Sequence, residues 1–115
     1  IFIAPDKHQI EAACRIGGQV IELHSGAYCD AHHEGRIEDR NIELEALRDM
    51  SRFAYDLGLE VHVGHGLTYE TVQPVAAFLE VVELNIGHFL IGEAIFRGFD
   101  PAIKEMRRLM DEVRN

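Results

Sequence analysis

Four times along this chain a short apolar or β-branched run gives way to a glycine- or proline-marked break and then to a segment with helical spacing. The runs are residues 1–4, 20–24, 59–64 and 82–87. Such an alternation is built as parallel strands joined by right-handed crossovers, with helices outside. Two α/β architectures satisfy it: an open doubly wound sheet, or part of a (β/α)8 barrel.

The helical segments carry their own punctuation. Pro5 closes the first strand and Asp6 is placed to cap a helix, with Gln9 three residues on as a capping box. Ile10, Ala13, Cys14 and Gly17 follow at helical spacing, and Gly17-Gly18 ends the segment. Residues 25–36 read as a polar loop that carries His32 and His33. A long helix is predicted over 38–57, with Leu47, Met50, Phe53, Ala54 and Leu57 as its buried stripe and Gly58 as its stop. Pro74 has no N–H to donate, so the next helix should start near Glu70 or Thr71 and continue through Val75, Ala76 and Leu79. A short helical segment over 91–97 is broken by Gly98. Asp100-Pro101 then opens a last helix with Ile103, Met106, Met110 and Val113 as its apolar stripe.

Strands in an open parallel sheet are covered on both faces and read as continuous apolar runs. These do not. The second strand sets Ile21 and Leu23 against Val20, Glu22 and His24; the third puts Glu60 and His62 on one face; the fourth sets Glu83 and Asn85 against Leu84 and Ile86. Polar side chains gathered on one face, toward the strand C-termini, fit a barrel lumen opening into a site. The barrel is therefore the expected fold. A carboxylate between Ile21 and Leu23 needs a partner, and His24 or His62 is the expected partner of Glu22. Glu60 and Glu83 have a plainer reading as exposed residues at strand starts.

The third strand stops at Gly64-His65-Gly66. By itself this triplet is also a tight turn with a polar residue in it. Glycines on both sides nevertheless leave room around the His65 ring, and an imidazole at a strand-to-helix turn can move protons near neutral pH. The fourth strand ends at Gly87-His88, just before Gly92-Glu93-Ala94. In barrels, a glycine turn after a late strand and the N-terminus of a short extra helix often cradle phosphate. Glu93, in the first turn of that helix, is expected to face away from the anion.

Net charge is −9, with no cluster of Lys and Arg, which argues against a nucleic-acid surface and requires any phosphate to be held locally. No apolar run is long enough to cross a bilayer and no signal peptide is visible. Cys14 and Cys29 match no metal or redox spacing and read as free thiols in a reducing cytoplasm. His32 and His33 are adjacent, point different ways and have no third ligand at sensible spacing, so they read as solvated rather than metal-binding. His24, His62 and His65 form an alternative metal set.

Glu22-Leu23-His24-Ser25-Gly26-Ala27-Tyr28, Gly64-His65-Gly66-Leu67-Thr68-Tyr69 and Glu83-Leu84-Asn85-Ile86-Gly87-His88, in this order and spacing, closely resemble the pyridoxine 5′-phosphate synthase family of the deoxyxylulose-dependent vitamin B6 pathway. Glu105-Met106-Arg107-Arg108-Leu109-Met110 resembles that family's last helix. The resemblance covers essentially the whole chain but only strands five to eight of the family's TIM barrel. Residues 1–115, beginning at Ile1 inside a strand, are therefore expected to be the C-terminal half of a barrel domain. The resemblance implies a transferase-class enzyme that condenses 1-deoxy-D-xylulose 5-phosphate with 3-amino-2-oxopropyl phosphate. The products are pyridoxine 5′-phosphate, inorganic phosphate and water, and neither metal nor organic cofactor is used. It implies that His65 is the proton donor, that Glu22 stabilises charged intermediates, and that Gly66, Gly87 and His88 hold the aminoketone phosphate. It also implies a cytoplasmic homo-oligomer, an octamer in the family, with no membrane or nucleic-acid partner. The family's N-terminal half carries another acid/base histidine, a glutamate base and most sugar-phosphate contacts, so this chain alone is expected to be inactive. Two other readings remain: a non-catalytic half-barrel that self-associates through its free edges, and a different phosphate-binding barrel enzyme.

Overall fold

The computed structural model describes residues 1–114. In chain order it contains β1 (Phe2–Ile3), α1 (Lys7–Arg15), β2 (Val20–His24), α2 (Gly26–His33), α3 (Ile37–Asp56), β3 (Glu60–Gly64), α4 (Val72–Ala76), β4 (Val81–Asn85), α5 (His88–Arg97) and α6 (Phe99–Arg114). The strands are all parallel and stand in the order β1-β2-β3-β4. A doubly wound sheet reverses its order at a switch point; here each strand is added beside the last, as in a barrel.

The core lies on one face of the sheet. Ile21, Leu23, Val61 and Val63 are fully buried there, against Ile10 and Ala13 of α1, Leu47 and Ala54 of α3, and Val75 of α4. The opposite face carries Glu22, His24, His62, Glu83 and Asn85, none of them fully buried. One covered face and one polar, uncovered face make this α/β sheet four βα units of the (β/α)8 barrel family. Among the described residues no helix is long and apolar enough to cross a membrane.

Local chemistry accounts for several boundaries. The Asp6 carboxylate accepts the His8 and Gln9 N–H groups at 2.8 and 3.1 Å. The Gln9 side chain accepts the N–H of Ala4 at 3.0 Å rather than that of Asp6, and so ties α1 back to the end of β1. A register shift between Val61 and His62 pairs Val81 with Val61 but Glu83 with His62, leaving Val82 as the extra residue. This irregularity keeps Val81 in the core and turns Glu83 to the polar face.

The structure corrects four expectations about the helices. Residues 25–36 are not a loop: α2 occupies most of them, with Tyr28, Cys29 and Ala31 buried. Its apolar positions are too few, among Gly, Asp and His, to give a periodic signal, and packing against α3 and the β3–α4 turn supplies what propensity does not. Helix α4 starts after Thr71 and ends at Ala76, so Leu79 lies beyond it and is 77% exposed. Helix α5 begins at His88, which moves Glu93 out of the first turn to an ion pair with Arg97 at 3.6 Å. Helix α6 begins at Phe99, after Gly98 at φ +85°, so Asp100 lies in its first turn and Ala102 and Met106, rather than Ile103, face inward.

Candidate functional site

The polar face is ordered by strand register. Glu22, His62 and Glu83 form one row; His24, Gly64 and Asn85 form the next, nearer the strand C-termini. The Glu22 carboxylate rises from the first row into the second. Its Oε1 accepts the Asn85 side-chain N–H at 2.5 Å, and its Oε2 stands 2.5 Å from where a Cβ on Gly64 would lie. A side chain at 64 would block this reach across β3. The partner of Glu22 is thus Asn85, not the expected His24 or His62. His62 is held elsewhere, its Nε2 2.7 Å from Glu60 and 3.5 Å from Glu83. Those two carboxylates are partners of His62 rather than idle strand starts.

His65 is exposed at the rim and has φ +85°, the one non-glycine residue with positive φ among those described. The Ser25 N–H donates to the Gly64 carbonyl at 2.8 Å. Its hydroxyl lies 2.8 Å from both the Gly64 and His65 carbonyls. The His24 ring lies 4.4 Å from that of His65, with Phe2 at 4.9 Å from His24. Nδ1 of His24 accepts the Gly26 N–H at 3.0 Å, which places its hydrogen on Nε2. Gly66, at φ +85°, passes over Cys29, whose Cβ would be 3.1 Å from a Cβ at position 66. Burial raises the Cys29 thiol pKa and pushes that of the neighbouring Tyr28 hydroxyl up to about 12. Both are therefore packing groups, held in their neutral forms.

Gly87 is the N-cap of α5, and no side chain caps that helix. Open space surrounds the positions where Cβ atoms would stand on Gly87 and Gly92. The leading N–H groups of α5 therefore have no side-chain cap, and no heavy atom crowds Gly87. Among the candidate residues, His65, Glu22, Gly66 and the Gly87-His88 pair all stand at the C-terminal ends of β2, β3 and β4 or on the polar face between them. Asn85, Ser25 and His24 join them. Asn85 was legible only as a polar position two residues beyond Glu83, and nothing in the order of residues announced the Ser25 contacts.

The histidines of α2 behave differently from the expectation. The β3–α4 turn brings Glu70 beside them, and ligand atoms of His32, His33 and Glu70 all lie within 4.8 Å of one another. A third group is thus present, where the sequence offers none at sensible spacing. The Arg40 guanidinium, which can only donate, lies 3.5 Å from His32 Nδ1. Nε2 of His32 lies 3.1 Å from the Glu70 carboxylate. His24, His62 and His65 are not gathered into a ligand set: His62 is taken by two carboxylates and His24 Nδ1 by the Gly26 N–H.

Comparison with known proteins matches residues 1–112 to the family described as "Pyridoxal phosphate biosynthesis protein PdxJ". Over 114 residues the chain is 77% identical to a pyridoxine 5′-phosphate synthase of Ruegeria pomeroyi, 72% identical to one of Roseobacter denitrificans and 54% identical to one of Caulobacter vibrioides. Each alignment takes in 99% of this chain and 46%, 46% and 45% of the respective relative. The chain spans about half the length of the curated relatives it matches.

Proposed function

This chain belongs to the PdxJ family of pyridoxal phosphate biosynthesis proteins, and from that premise we propose that residues 1–115 are the C-terminal half of a (β/α)8 barrel whose full-length form is a pyridoxine 5′-phosphate synthase. The full-length protein condenses 1-deoxy-D-xylulose 5-phosphate with 3-amino-2-oxopropyl phosphate and releases phosphate and water. Imine formation, dehydration and ring closure each move protons, so an acid/base side chain must stand at the rim. His65 is that group, acting as proton donor. Glu22 stabilises the cationic intermediates, and Asn85 holds its carboxylate toward the strand ends. Backbone N–H groups at Gly66, Gly87 and His88 hold the aminoketone phosphate, which fixes its amine against the partner's carbonyl. The full-length protein is a cytoplasmic homo-oligomer that needs no cofactor.

The observation that carries this reading is the Glu22 carboxylate and the His65 imidazole opening onto one uncovered face at the strand C-termini, beside an uncapped helix N-terminus. The test is an assay of the full-length protein with both substrates, with pyridoxine 5′-phosphate quantified by chromatography. Product from the full-length protein, none from residues 1–115 alone, and product again when the other half is supplied is the expected pattern. A folded full-length protein that consumes neither substrate would overturn the reading.

A further inference from the structure

We propose that Ser25 and His24, at the end of β2, are positioning residues that set the His65 imidazole in its working place. The inference rests on the reading of His65 as proton donor and deepens it.

A positive φ is disfavoured for any residue with a Cβ and persists only where surrounding contacts over-determine it. At His65 those contacts come from Ser25, which is 1% exposed. Its N–H and its hydroxyl both reach the Gly64 carbonyl, and the same hydroxyl lies 2.8 Å from the His65 carbonyl. These two carbonyls belong to the peptide groups on either side of the His65 Cα. One hydroxyl, sharing its single hydrogen between them, thereby fixes both dihedrals that aim the side chain.

His24 acts on the ring itself. Its imidazole is anchored through Nδ1 to the Gly26 N–H and leans on Phe2 on one side and on His65 on the other. Position 26 has no room for a side chain: a Cβ there would run into the His24 ring and stand 3.1 Å from Cδ2 of His65. Gly26, Ser25 and His24 thus form one unit around His65. Nothing here requires Ser25 or His24 to touch substrate.

The experiment uses the full-length protein, wild type and with Ser25→Ala, Ser25→Thr or His24→Ala. It reads kcat, KM, thermal unfolding and the 15N-edited imidazole NMR signals of His65 without substrate. Misplacing an acid/base group slows the chemical step more than it weakens binding, so Ser25→Ala should lower kcat about tenfold or more and leave KM within about twofold. Its His65 ring signals should move toward those of a solvent-averaged imidazole. Ser25→Thr, which keeps the hydroxyl, should recover kcat to within about threefold of wild type. His24→Ala should remove the ring-current shift on His65 and lower kcat in the same direction as Ser25→Ala. Wild-type kcat in a folded Ser25→Ala protein overturns the proposal, and so does a folded Ser25→Thr protein as slow as Ser25→Ala. If Ser25→Ala does not fold, His24→Ala decides, and unchanged His65 signals and kcat there overturn it. A wild-type protein that makes no pyridoxine 5′-phosphate defeats the functional reading instead; the positioning claim is then decided by the His65 spectra alone.

Discussion

The Glu22 carboxylate occupies the space that a side chain on Gly64 would need, with Oε2 2.5 Å from the position of the missing Cβ. The same Cβ would stand 3.0 Å from the Asn85 carbonyl and 3.1 Å from the Asn85 Cβ, neither of which can swing away as a carboxylate can. Gly64→Ala should therefore expel Glu22 from its hydrogen bond to Asn85. In the full-length protein we expect turnover to fall about ten- to a hundredfold and stability to fall by about 1–2 kcal/mol. Steady-state kinetics beside thermal unfolding checks this, and wild-type turnover would mean that the Glu22–Asn85 contact does not matter to the chemistry.

His65 is exposed, so its side chain contributes little packing, while its backbone is in a conformation that glycine adopts freely. His65→Gly should abolish product formation and leave stability unchanged or raised by about 0.5–1 kcal/mol. His65→Ala should abolish product formation equally without the gain. Turnover near wild type in either variant, with both proteins folded, would remove His65 from the acid/base role.

Much of this was legible before the fold was known. The period-2 alternation of Ile21 and Leu23 with Glu22 and His24 placed the covered and uncovered faces correctly, because one face of each strand must be apolar to pack against helices. What the chain order did not reveal depends on groups distant in sequence. The partner of Glu22 lies 63 residues away and is reached only because Gly64 lacks a side chain. Helix α2 has no local signal because its burial of Tyr28 and Cys29 is set by the β3–α4 turn, through the Tyr28 hydroxyl donating to the Thr71 carbonyl at 2.9 Å. Glu70 reaches His32 by that same turn, and no local spacing encodes it.

The proposed phosphate cradle at Gly87-His88, at the uncapped start of α5, is open to a direct test. Crystals of the full-length protein grown or soaked in phosphate should show the anion against the first N–H groups of that helix. An empty turn at high phosphate, with the anion bound elsewhere on the rim, would count against the cradle.

The two thiols should differ sharply. Cys29 is 1% exposed and its thiol is kept protonated by burial, whereas Cys14 is only partly buried. Because the thiolate is the reacting species, a disulfide reagent at mildly alkaline pH should label Cys14 well before Cys29. Cys29 should react only after denaturant is added. Peptide mass mapping reads this out, and equal labelling rates in the native protein would contradict the packing described for α2.

Tyr28 gives the fold a defined alkaline weakness. It is 2% exposed, and its hydroxyl is pushed from the ordinary 10.0 up to about 12, chiefly by burial, with Cys29 adding and Arg40 opposing. Below the ordinary value both folded and unfolded chains keep the proton, and the Tyr28 contribution is fully present. As pH rises from about 10 to about 12 the unfolded chain gives up that proton while the folded one retains it, so stability falls through this window. Tyr28→Phe removes this term and also the hydrogen bond to Thr71, costing about 1 kcal/mol at neutral pH. The stability advantage of wild type over the Phe variant should therefore hold constant up to about pH 9, then shrink and change sign before about pH 12. Urea unfolding of the pair across this range makes the measurement, and a difference that stays constant with pH would show that the Tyr28 hydroxyl is not held in the buried site between Cys29 and Thr71.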